Sequence, residues 1–234
     1  MQSLSQMFRD VGPIPNLLVP ALFGAFGLAV VWLIQKQIQR RRLRKREQFL
    51  QAVGESVLAK IPQKISFEEI TAHSWSNPSK YEESKAAFES LHFSRTLTFQ
   101  ASPQEWVAEF WLSSKPGLFA KIIDSKKRGV YSEVTVMNRD GVAVSFENTE
   151  ECGLKHREPN KWVHCGLTTP AQLVERALQQ SQPNDDLQMN LAECVSADER
   201  SVNEYLAWRR SVGISADEVK QVVEHMKRRR SLET

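Results

Sequence analysis

Cysteine is scarce in this sequence: three cysteines occur in 234 residues, and none belongs to a Cys-x-x-Cys pair. An odd number of cysteines does not form the fully paired framework that staples small secreted domains. In a domain that the charge distribution places in the cytoplasm, we expect all three thiols to be reduced.

The short motifs of common catalytic sites are also missing. The sequence contains no Gly-x-Ser-x-Gly, no His-Glu-x-x-His and no Walker A loop, and no Gly-x-Gly-x-x-Gly follows a predicted strand. Gly129 and Gly141 fall in predicted hairpin turns, so no glycine-rich phosphate cradle is expected. The sequence therefore predicts no cofactor.

Acidic residues are nearly absent from the N-terminal part. Residues 1–46 contain eight Lys or Arg and one acid, whereas residues 47–234 contain 23 Lys or Arg and 27 Asp or Glu. The basic balance of the chain thus belongs to its N-terminal segment, and the remainder is mildly acidic. Nucleic-acid binding needs a basic face on the folded domain, so we expect no nucleic-acid partner.

One long apolar run is present. Residues 14–34 carry no charge, and 21 residues of helix reach ~32 Å, close to the ~30 Å hydrocarbon core of a bilayer. The run predicts a transmembrane helix. A buried helix of a soluble domain needs less length, and a cleaved signal peptide needs more positive charge before the run than Arg9, offset by Asp10, provides.

A basic segment follows this run and predicts its orientation. The positive-inside rule places the N-terminus outside and the rest of the chain in the cytoplasm, at the inner membrane of a bacterial cell. The segment either attracts the anionic headgroups of the lipid bilayer or serves only to fix the topology. The predicted membrane-interface residues are Trp32, Lys36, Arg40, Arg41, Arg42, Arg44, Lys45 and Arg46.

The pattern after the basic segment predicts an α+β fold. Five alternating segments with short turns, from Phe93 to Phe146, indicate a five-stranded antiparallel meander packed with flanking helices. The predicted divisions are an exterior tail at 1–13, a transmembrane helix at 14–34, a basic stalk helix at 35–62, a cytoplasmic α+β domain at 63–182 and a C-terminal helical hairpin at 183–234. This order of elements resembles the architecture of membrane-anchored bacterial proteins, and the resemblance implies no functional residues.

Capping sequences predict where helices begin. Capping boxes at residues 66–69 and 79–82 indicate two helices before the meander, and Thr169 before Pro170 indicates another after it. The sequence Ser-Ala-Asp-Glu occurs at 196–199 and at 215–218 and predicts the starts of the two hairpin helices.

One cluster of metal-ligand residue types lies in a predicted loop. It consists of Cys152, His156, His164 and Cys165. Thiolate and imidazole are preferred zinc ligands, but the adjacent His164 and Cys165 do not follow the spacing of known zinc sites. An ordinary loop with two half-buried thiols is the alternative, and a Cys–His nucleophilic pair is a further one.

Large aromatic residues occur on both sides of the predicted sheet. Trp106 and Phe110 point to one face of their strand and Trp111 to the other; Phe119 and Tyr131 complete the set. Either helices cover both faces, or one face is a concave surface that binds a ligand or partner. The carboxylates Glu105, Glu109 and Glu133 are expected on the solvent face, and a paired acid/base site is the alternative.

Three classes of function are compatible with these features. The leading one is a non-enzymatic, membrane-tethered module that binds a protein or a small ligand through its sheet or its helical hairpin. A membrane-bound hydrolase or thiol enzyme is the alternative, and it predicts a deep cleft with converging polar groups. The third class is a structural subunit of a membrane complex.

Overall fold

The computed structural model describes residues 18–150, Leu154 and 161–232, with side chains from Trp32 to Arg228 within these ranges. The chain forms two compact units, Met1–Phe49 and Leu50–Thr234. Helix α1 (Leu18–Leu58) provides the described part of the first unit, and its residues from Leu50 onward belong to the second.

Within the described residues, no helix combines the length and the apolar composition that crossing a membrane requires. The prediction of a single-pass protein with a transmembrane helix at 14–34 is corrected accordingly. Residues 14–17 and the side chains of 18–31 lie outside the described residues, and beyond Ile34 the helix turns strongly basic. The predicted exterior N-terminus and cytoplasmic domain are not tested and stay predictions.

The second unit is built on one sheet of seven strands in sequence order. Neighbours are antiparallel except the last pair, which is parallel. The strands are β1 (Ser66–Ile70), β2 (Phe93–Ser102), β3 (Trp106–Ser113), β4 (Leu118–Ser125), β5 (Gly129–Met137), β6 (Ala143–Glu147) and β7 (Lys161–His164). The α+β class stands, but the prediction of five strands is wrong.

The two additional strands lie at the ends of the predicted meander. Ser66–Ile70, predicted as a short helix from its capping box, is instead paired along its whole length with β2, because pairing with a neighbouring strand overrides a local capping signal. Strand β7 lies in a segment predicted to be irregular. Its four residues pair in parallel with Val144 to Glu147 of β6.

Four further helices are described: α2 (Pro78–Ser90), α3 (Pro170–Gln180), α4 (Leu191–Val212) and α5 (Ala216–Leu232). The Thr169 cap of α3 forms the predicted capping box. Helix α4 begins five residues earlier than Ser196, because Asn190 and Glu193 form the capping box there. Asn77, rather than Ser79, caps α2.

Helices cover both faces of the sheet. On one face, α2 and α3 contribute Phe88, Leu173 and Val174 to an apolar core with Trp111 and Ile122. The second face packs against α4. There, β1 to β3 present aromatic and aliphatic side chains, whereas β4 to β6 add buried charged and hydroxyl groups to Phe119, Ile123 and Tyr131. This polar half is the unusual part of the core.

Candidate functional site

Three charged side chains meet in the polar half of the sheet face beneath α4. Lys121 on β4 and Glu133 on β5 are directly opposite each other in the strand pairing, and Asp198 comes from α4. The Nζ atom of Lys121 lies 2.9 Å from Glu133 Oε1 and 2.6 Å from Asp198 Oδ1. All three residues are at most 8% exposed, so one cation is buried with two carboxyl groups.

The electrostatics of this triad are coupled. Burial alone would lower the pKa of Lys121, but the attraction of Asp198 and Glu133 outweighs it and holds the pKa above its ordinary value. Burial raises the pKa of Asp198. The positive charge of Lys121 lowers this pKa and the negative charge of Glu133 raises it, and the pKa remains above its ordinary value. The charged form of Lys121 is therefore favoured, and Asp198 binds a proton more readily than an exposed aspartate.

Two hydroxyl groups extend this cluster. The Thr135 hydroxyl donates to Glu133 Oε1 at 3.2 Å and lies 2.9 Å from Ser145 Oγ. Because a hydroxyl has only one proton to donate, Ser145 must be the donor to Thr135. The chain of hydrogen bonds therefore runs from Ser145 through Thr135 to the Glu133 carboxylate.

A cavity of about 210 Å³ lies beside these groups, and we name it the Asp198 cavity. Its buried lining includes Phe119, Thr135, Ser145 and Asp198, while the exposed Arg200 and Glu204 of α4 mark its outer part. The remaining lining residues are Met137, Gly141, Ala143, Ala197 and Ser201.

One buried polar atom at this cavity is unsatisfied. Asp198 Oδ1 accepts from Lys121, but Asp198 Oδ2 has no hydrogen-bond partner among the described residues. Leaving a buried acceptor unpaired costs ~1–3 kcal/mol, so such atoms are unusual in a well-packed core. The unsatisfied atom therefore marks the cavity as a place that a hydrogen-bond donor could occupy.

A second polar cluster lies next to the triad along β6. Glu147 accepts from Arg128 at 3.0 Å and from Thr149 at 2.9 Å, and His164 Nδ1 is 3.5 Å from the same carboxylate oxygen. Burial and repulsion from Glu133 raise the pKa of Glu147, while Arg128 opposes the shift. This cluster ties β7 to β6.

The predicted zinc ligands are only partly described. Cys152 and His156 lie outside the described residues. His164 contacts Thr149 Oγ1 at 3.2 Å, and the Cys165 thiol lies 3.7 Å from the Val163 carbonyl. Within the described residues, no three His, Cys, Asp or Glu side chains are placed to hold a metal ion.

The third cysteine is not suited to nucleophilic chemistry. Cys194 is fully buried between α4 and the sheet, and burial, with Glu193 and Asp198 adding to it, raises the pKa of its thiol to about 12. The thiolate is the reactive form of cysteine, and such a pKa keeps it scarce at neutral pH.

The predicted aromatic set is divided between the two faces. Phe110 and Phe119 stack with their ring centroids 6.3 Å apart on the α4 face, where Trp106 and Tyr131 also lie. Trp111 is fully buried on the other face against Phe88. Helices cover both faces, so these rings form core rather than one continuous aromatic surface.

The carboxylate Glu109 is buried on the face opposite the triad. Its oxygens accept from Arg95 Nε at 2.8 Å and from Trp111 Nε1 at 3.0 Å, and Tyr81 and Thr98 donate at 3.3–3.4 Å. The predicted solvent-facing position is wrong for Glu109 and Glu133, because both sheet faces are covered, whereas Glu105, just before β3, is exposed.

A His–Asp–Ser group lines a hollow of about 400 Å³ near the end of β4. Ser76 Oγ donates to Asp124 Oδ1 at 2.6 Å, and His73 Nε2 lies 3.0 Å from Asp124 Oδ2. In a Ser-His-Asp triad, the imidazole lies between the hydroxyl and the carboxylate and takes the serine proton. Here the carboxylate lies between the other two, so the arrangement does not activate Ser76.

The acidity of Asp124 also argues against general-base catalysis. Burial raises its pKa, but hydrogen bonds from the Ser76 side chain and backbone and from His73 outweigh this effect, so the pKa lies below its usual value. A base with a lowered pKa is weak at neutral pH. These contacts instead hold the 73–76 loop against β4.

A wider groove of about 790 Å³ runs between α4 and the outer strands β1 and β2. Its apolar lining includes Leu97, Phe99 and Val195. Asn203 pairs with both the N–H and the carbonyl of Ile65 at 2.7 and 2.8 Å, and Glu199 accepts from the Phe67 N–H at 3.3 Å. These two polar groups are therefore occupied in holding the edge of β1.

The predicted membrane-interface residues lie on α1. From Trp32 to Phe49, the helix exposes every side chain, and Lys36 Nζ lies 4.5 Å from the centre of the Trp32 ring. Seven cations between positions 36 and 46 are thus solvent-accessible, with no acid among them.

Sequence reasoning missed Lys121 and Asp198. Lys121 interrupts the apolar run from Leu118 to Ile123, and a charge inside a strand buried on both faces was a usable signal for a buried ion pair. The Ser-Ala-Asp-Glu pattern at 196–199 predicts that Asp198 lies in the first turn of its helix. The earlier start of α4 places it in the helix interior, where its side chain reaches the sheet.

No protein-family model matches the sequence, no curated protein matches it, and no solved structure matches its fold. The function is therefore inferred from the geometry of the described residues.

Proposed function

We propose that this chain is a non-enzymatic binding module that holds a small ligand in the Asp198 cavity. The observation that carries the proposal is the buried Oδ2 atom of Asp198, which is unpaired among the described residues and belongs to the lining of a 210 Å³ space. Small-molecule sites combine apolar walls with a few convergent polar groups. Phe119 and Met137 supply the walls here, and Asp198 and Ser145 supply polar groups.

The size of the cavity favours a small molecule over a peptide. Its volume of about 210 Å³ lies below the ~300–1,000 Å³ of pockets that hold drug-sized ligands. The groove beside β1 is larger, but its Asn203 and Glu199 side chains are bonded to the β1 backbone, so they do not converge on an open space.

Filling the cavity tests this proposal. Ala197→Leu adds three carbon atoms to its lining from α4, and Ala207→Leu is a matched control on the same helix that lines the groove instead. The full chain is screened by thermal shift against small amines, polyols, sugars and carboxylates. We expect at least one class to stabilise the wild type and the Ala207→Leu variant but not the Ala197→Leu variant.

Two results would contradict the proposal. A ligand whose effect survives Ala197→Leu and disappears with Ala207→Leu would place binding in the groove. A screen in which no class stabilises the wild type would remove the cavity as a binding site.

We further propose that anionic lipid headgroups are the partner of the basic segment of α1. The seven exposed cations between positions 36 and 46 support this proposal, since each Lys or Arg near an anionic bilayer surface contributes ~1 kcal/mol. The proposal concerns a bilayer surface and requires no spanning segment.

Charge removal tests the lipid proposal. The full chain with Arg40, Arg41, Arg42 and Arg44 changed to Gln is compared with a control that loses four exposed lysines elsewhere: Lys60, Lys115, Lys127 and Lys220. We expect vesicles containing phosphatidylserine to bind the first variant at least about 100-fold more weakly and the control nearly as well as the wild type. Equal losses in both variants, or tighter binding to a short RNA than to the vesicles, would contradict it.

A further inference from the structure

We infer that the ligand of the Asp198 cavity is a compact cation of the primary-ammonium type. This inference rests on the proposed binding function and specifies the chemistry of its ligand. Two features of the cavity support it, its charge balance and the direction of its hydrogen bonds, and its size limits the ligand to a small molecule.

The charge balance at the inner end of the cavity is negative. Lys121 is the cation of the buried triad, and it faces two carboxyl groups, Glu133 and Asp198. At the outer end, the cavity is lined by Arg200 and Glu204 of α4, which are exposed, so solvent screens their charges. A buried excess of negative charge is costly, and a bound cation would offset it.

At the inner end of the cavity, the hydrogen bonds among Thr135, Ser145 and Glu133 leave acceptors rather than donors. Thr135 donates its proton to Glu133, and Ser145 donates its proton to Thr135. The lone pairs of Ser145 Oγ remain as an acceptor, and an ionised Asp198 offers Oδ2 as a second one. A primary ammonium group has three donors and no acceptor, and it therefore complements this set.

The alternatives fit less well. A carboxylate or phosphate would meet Asp198 and Glu133 with like charge and would find no free hydroxyl proton at Thr135 or Ser145. A neutral alcohol could donate one hydrogen bond, but it would leave the negative balance in place. A metal ion would compete with Lys121 for the same two carboxylates, and no three-ligand group is present in the described part of the chain.

The experiment compares three probes of similar size that differ in charge: n-butylammonium, 1-butanol and butyrate. Each is titrated into the full-length wild type, Asp198→Asn and Asp186→Asn by calorimetry. Asp186 is an exposed loop aspartate, so its variant carries the same change in charge away from the cavity. We expect n-butylammonium to bind the wild type and the Asp186 control, and to bind Asp198→Asn at least about tenfold more weakly.

The outcomes separate this inference from the proposed function. Tighter binding of 1-butanol or butyrate, abolished by Ala197→Leu, would overturn the cationic ligand and keep the binding site. Butylammonium binding that is equal in wild type and Asp198→Asn would overturn the role of Asp198. If no probe binds the wild type and the wider amine screen also fails, the inference is wrong. The proposed function is wrong as well only if the polyols, sugars and carboxylates of that screen also fail.

A second variant guards against misfolding of Asp198→Asn. Ser145→Ala removes the other acceptor without changing any charge. We expect Ser145→Ala to bind butylammonium roughly threefold to tenfold more weakly than the wild type. This loss is smaller than that of Asp198→Asn, because the Ser145 hydroxyl that accepts the hydrogen bond carries no charge. Full butylammonium affinity in Ser145→Ala would contradict the acceptor arrangement.

Discussion

Two carboxylates are buried on opposite faces of the same sheet, and their surroundings differ. Both oxygens of Glu109 accept hydrogen bonds, with Arg95, Trp111, Tyr81 and Thr98 as donors. Asp198 has a single donor, Lys121, on one oxygen, and its other oxygen has no partner among the described residues. Both residues are shielded from water, so burial alone does not distinguish them.

This difference indicates that Glu109 is a structural carboxylate, whereas Asp198 has an oxygen that is able to accept a hydrogen bond from a ligand. Glu109 fastens β3 to β2 and to α2, and it lines none of the cavities described above. Asp198 belongs to the wall of an open space and shares its cation with Glu133. Four predictions test this comparison, in order of decreasing effect.

The largest expected effect is the loss of the shared cation. Lys121→Met leaves Glu133 and Asp198 buried without a counter-ion, and breaking a buried charge cluster in this way costs ~3–5 kcal/mol. The free energy of unfolding from urea titration measures the loss. Lys126→Met, at an exposed site, is the control and should stay within about 0.5 kcal/mol of the wild type. A loss below about 1 kcal/mol at Lys121 would show that the triad does not behave as a buried cluster.

The structural carboxylate should come second. Glu109→Gln keeps the shape of the side chain but weakens the hydrogen bonds from Arg95 and places an amide donor next to donors. We expect the free energy of unfolding to fall by about 1.5–3 kcal/mol, as for hydrogen bonds to charged groups. Glu105→Gln, which is exposed, provides the matched control. If Glu109→Gln is as mild as this control, Glu109 is not the fastening group that its contacts indicate.

Asp198→Asn should cost less than Glu109→Gln although both positions are buried. Lys121 keeps Glu133 as its counter-ion, so the ion pair that remains is neutral. The substitution also alters a carboxylate with one unpaired oxygen, whereas both oxygens of Glu109 accept hydrogen bonds. We expect the free energy of unfolding to change by about 1 kcal/mol or less. A loss larger than that of Glu109→Gln would reverse the comparison and make Asp198 a structural residue.

The smallest effect is a pair of opposite pH dependences. The pKa of Asp124 lies below its ordinary value, so its contribution to stability is present above about pH 3.9 and is lost as the pH falls through the lowered pKa. The pKa of Asp198 is raised by burial, so the folded state binds the extra proton, and stability declines as the pH rises from about 3.9 through the raised pKa.

Urea titrations at about pH 3 and about pH 7 compare the two variants with the wild type. The destabilisation by Asp124→Asn should be greater at the higher pH, and that by Asp198→Asn should be smaller there. The groups that face Asp198 are Lys121 on β4 and Glu133 on β5, and those that face Asp124 are His73 and Ser76. If the destabilisation by Asp198→Asn were also greater at about pH 7 than at about pH 3, as for Asp124→Asn, the folded state would stabilise Asp198 in its ionised form.

The sequence predicts those elements that depend on local patterns, and it does not predict those that depend on pairing with a distant strand. The alternation between Phe93 and Phe146 and the Thr169 and Ser215 caps are local signals, and the structure has strands and helix starts there. Ser66–Ile70 and Lys161–His164 become strands only because β2 and β6 offer an edge to pair with. No periodicity within four or five residues contains that information.

The candidate site depends on contacts that are distant in sequence. Lys121 and Asp198 are 77 positions apart, and neither is part of a motif. Lys121 stood out as a charge within an apolar strand, which predicts a buried partner but not its identity. Asp198 gives no such signal, because an aspartate two residues after a serine is also typical of the first turn of a capped helix.

The most direct test of the cavity assignment is a crystal of the full chain soaked with 4-bromobenzylammonium, in which the anomalous signal of bromine locates the ligand. The account predicts a bromine peak inside the Asp198 cavity, near Phe119 and Met137, with the ammonium nitrogen about 3 Å from the Asp198 carboxylate. A bromine peak in the groove beside Leu97 and Phe99, with none in the cavity, would contradict it.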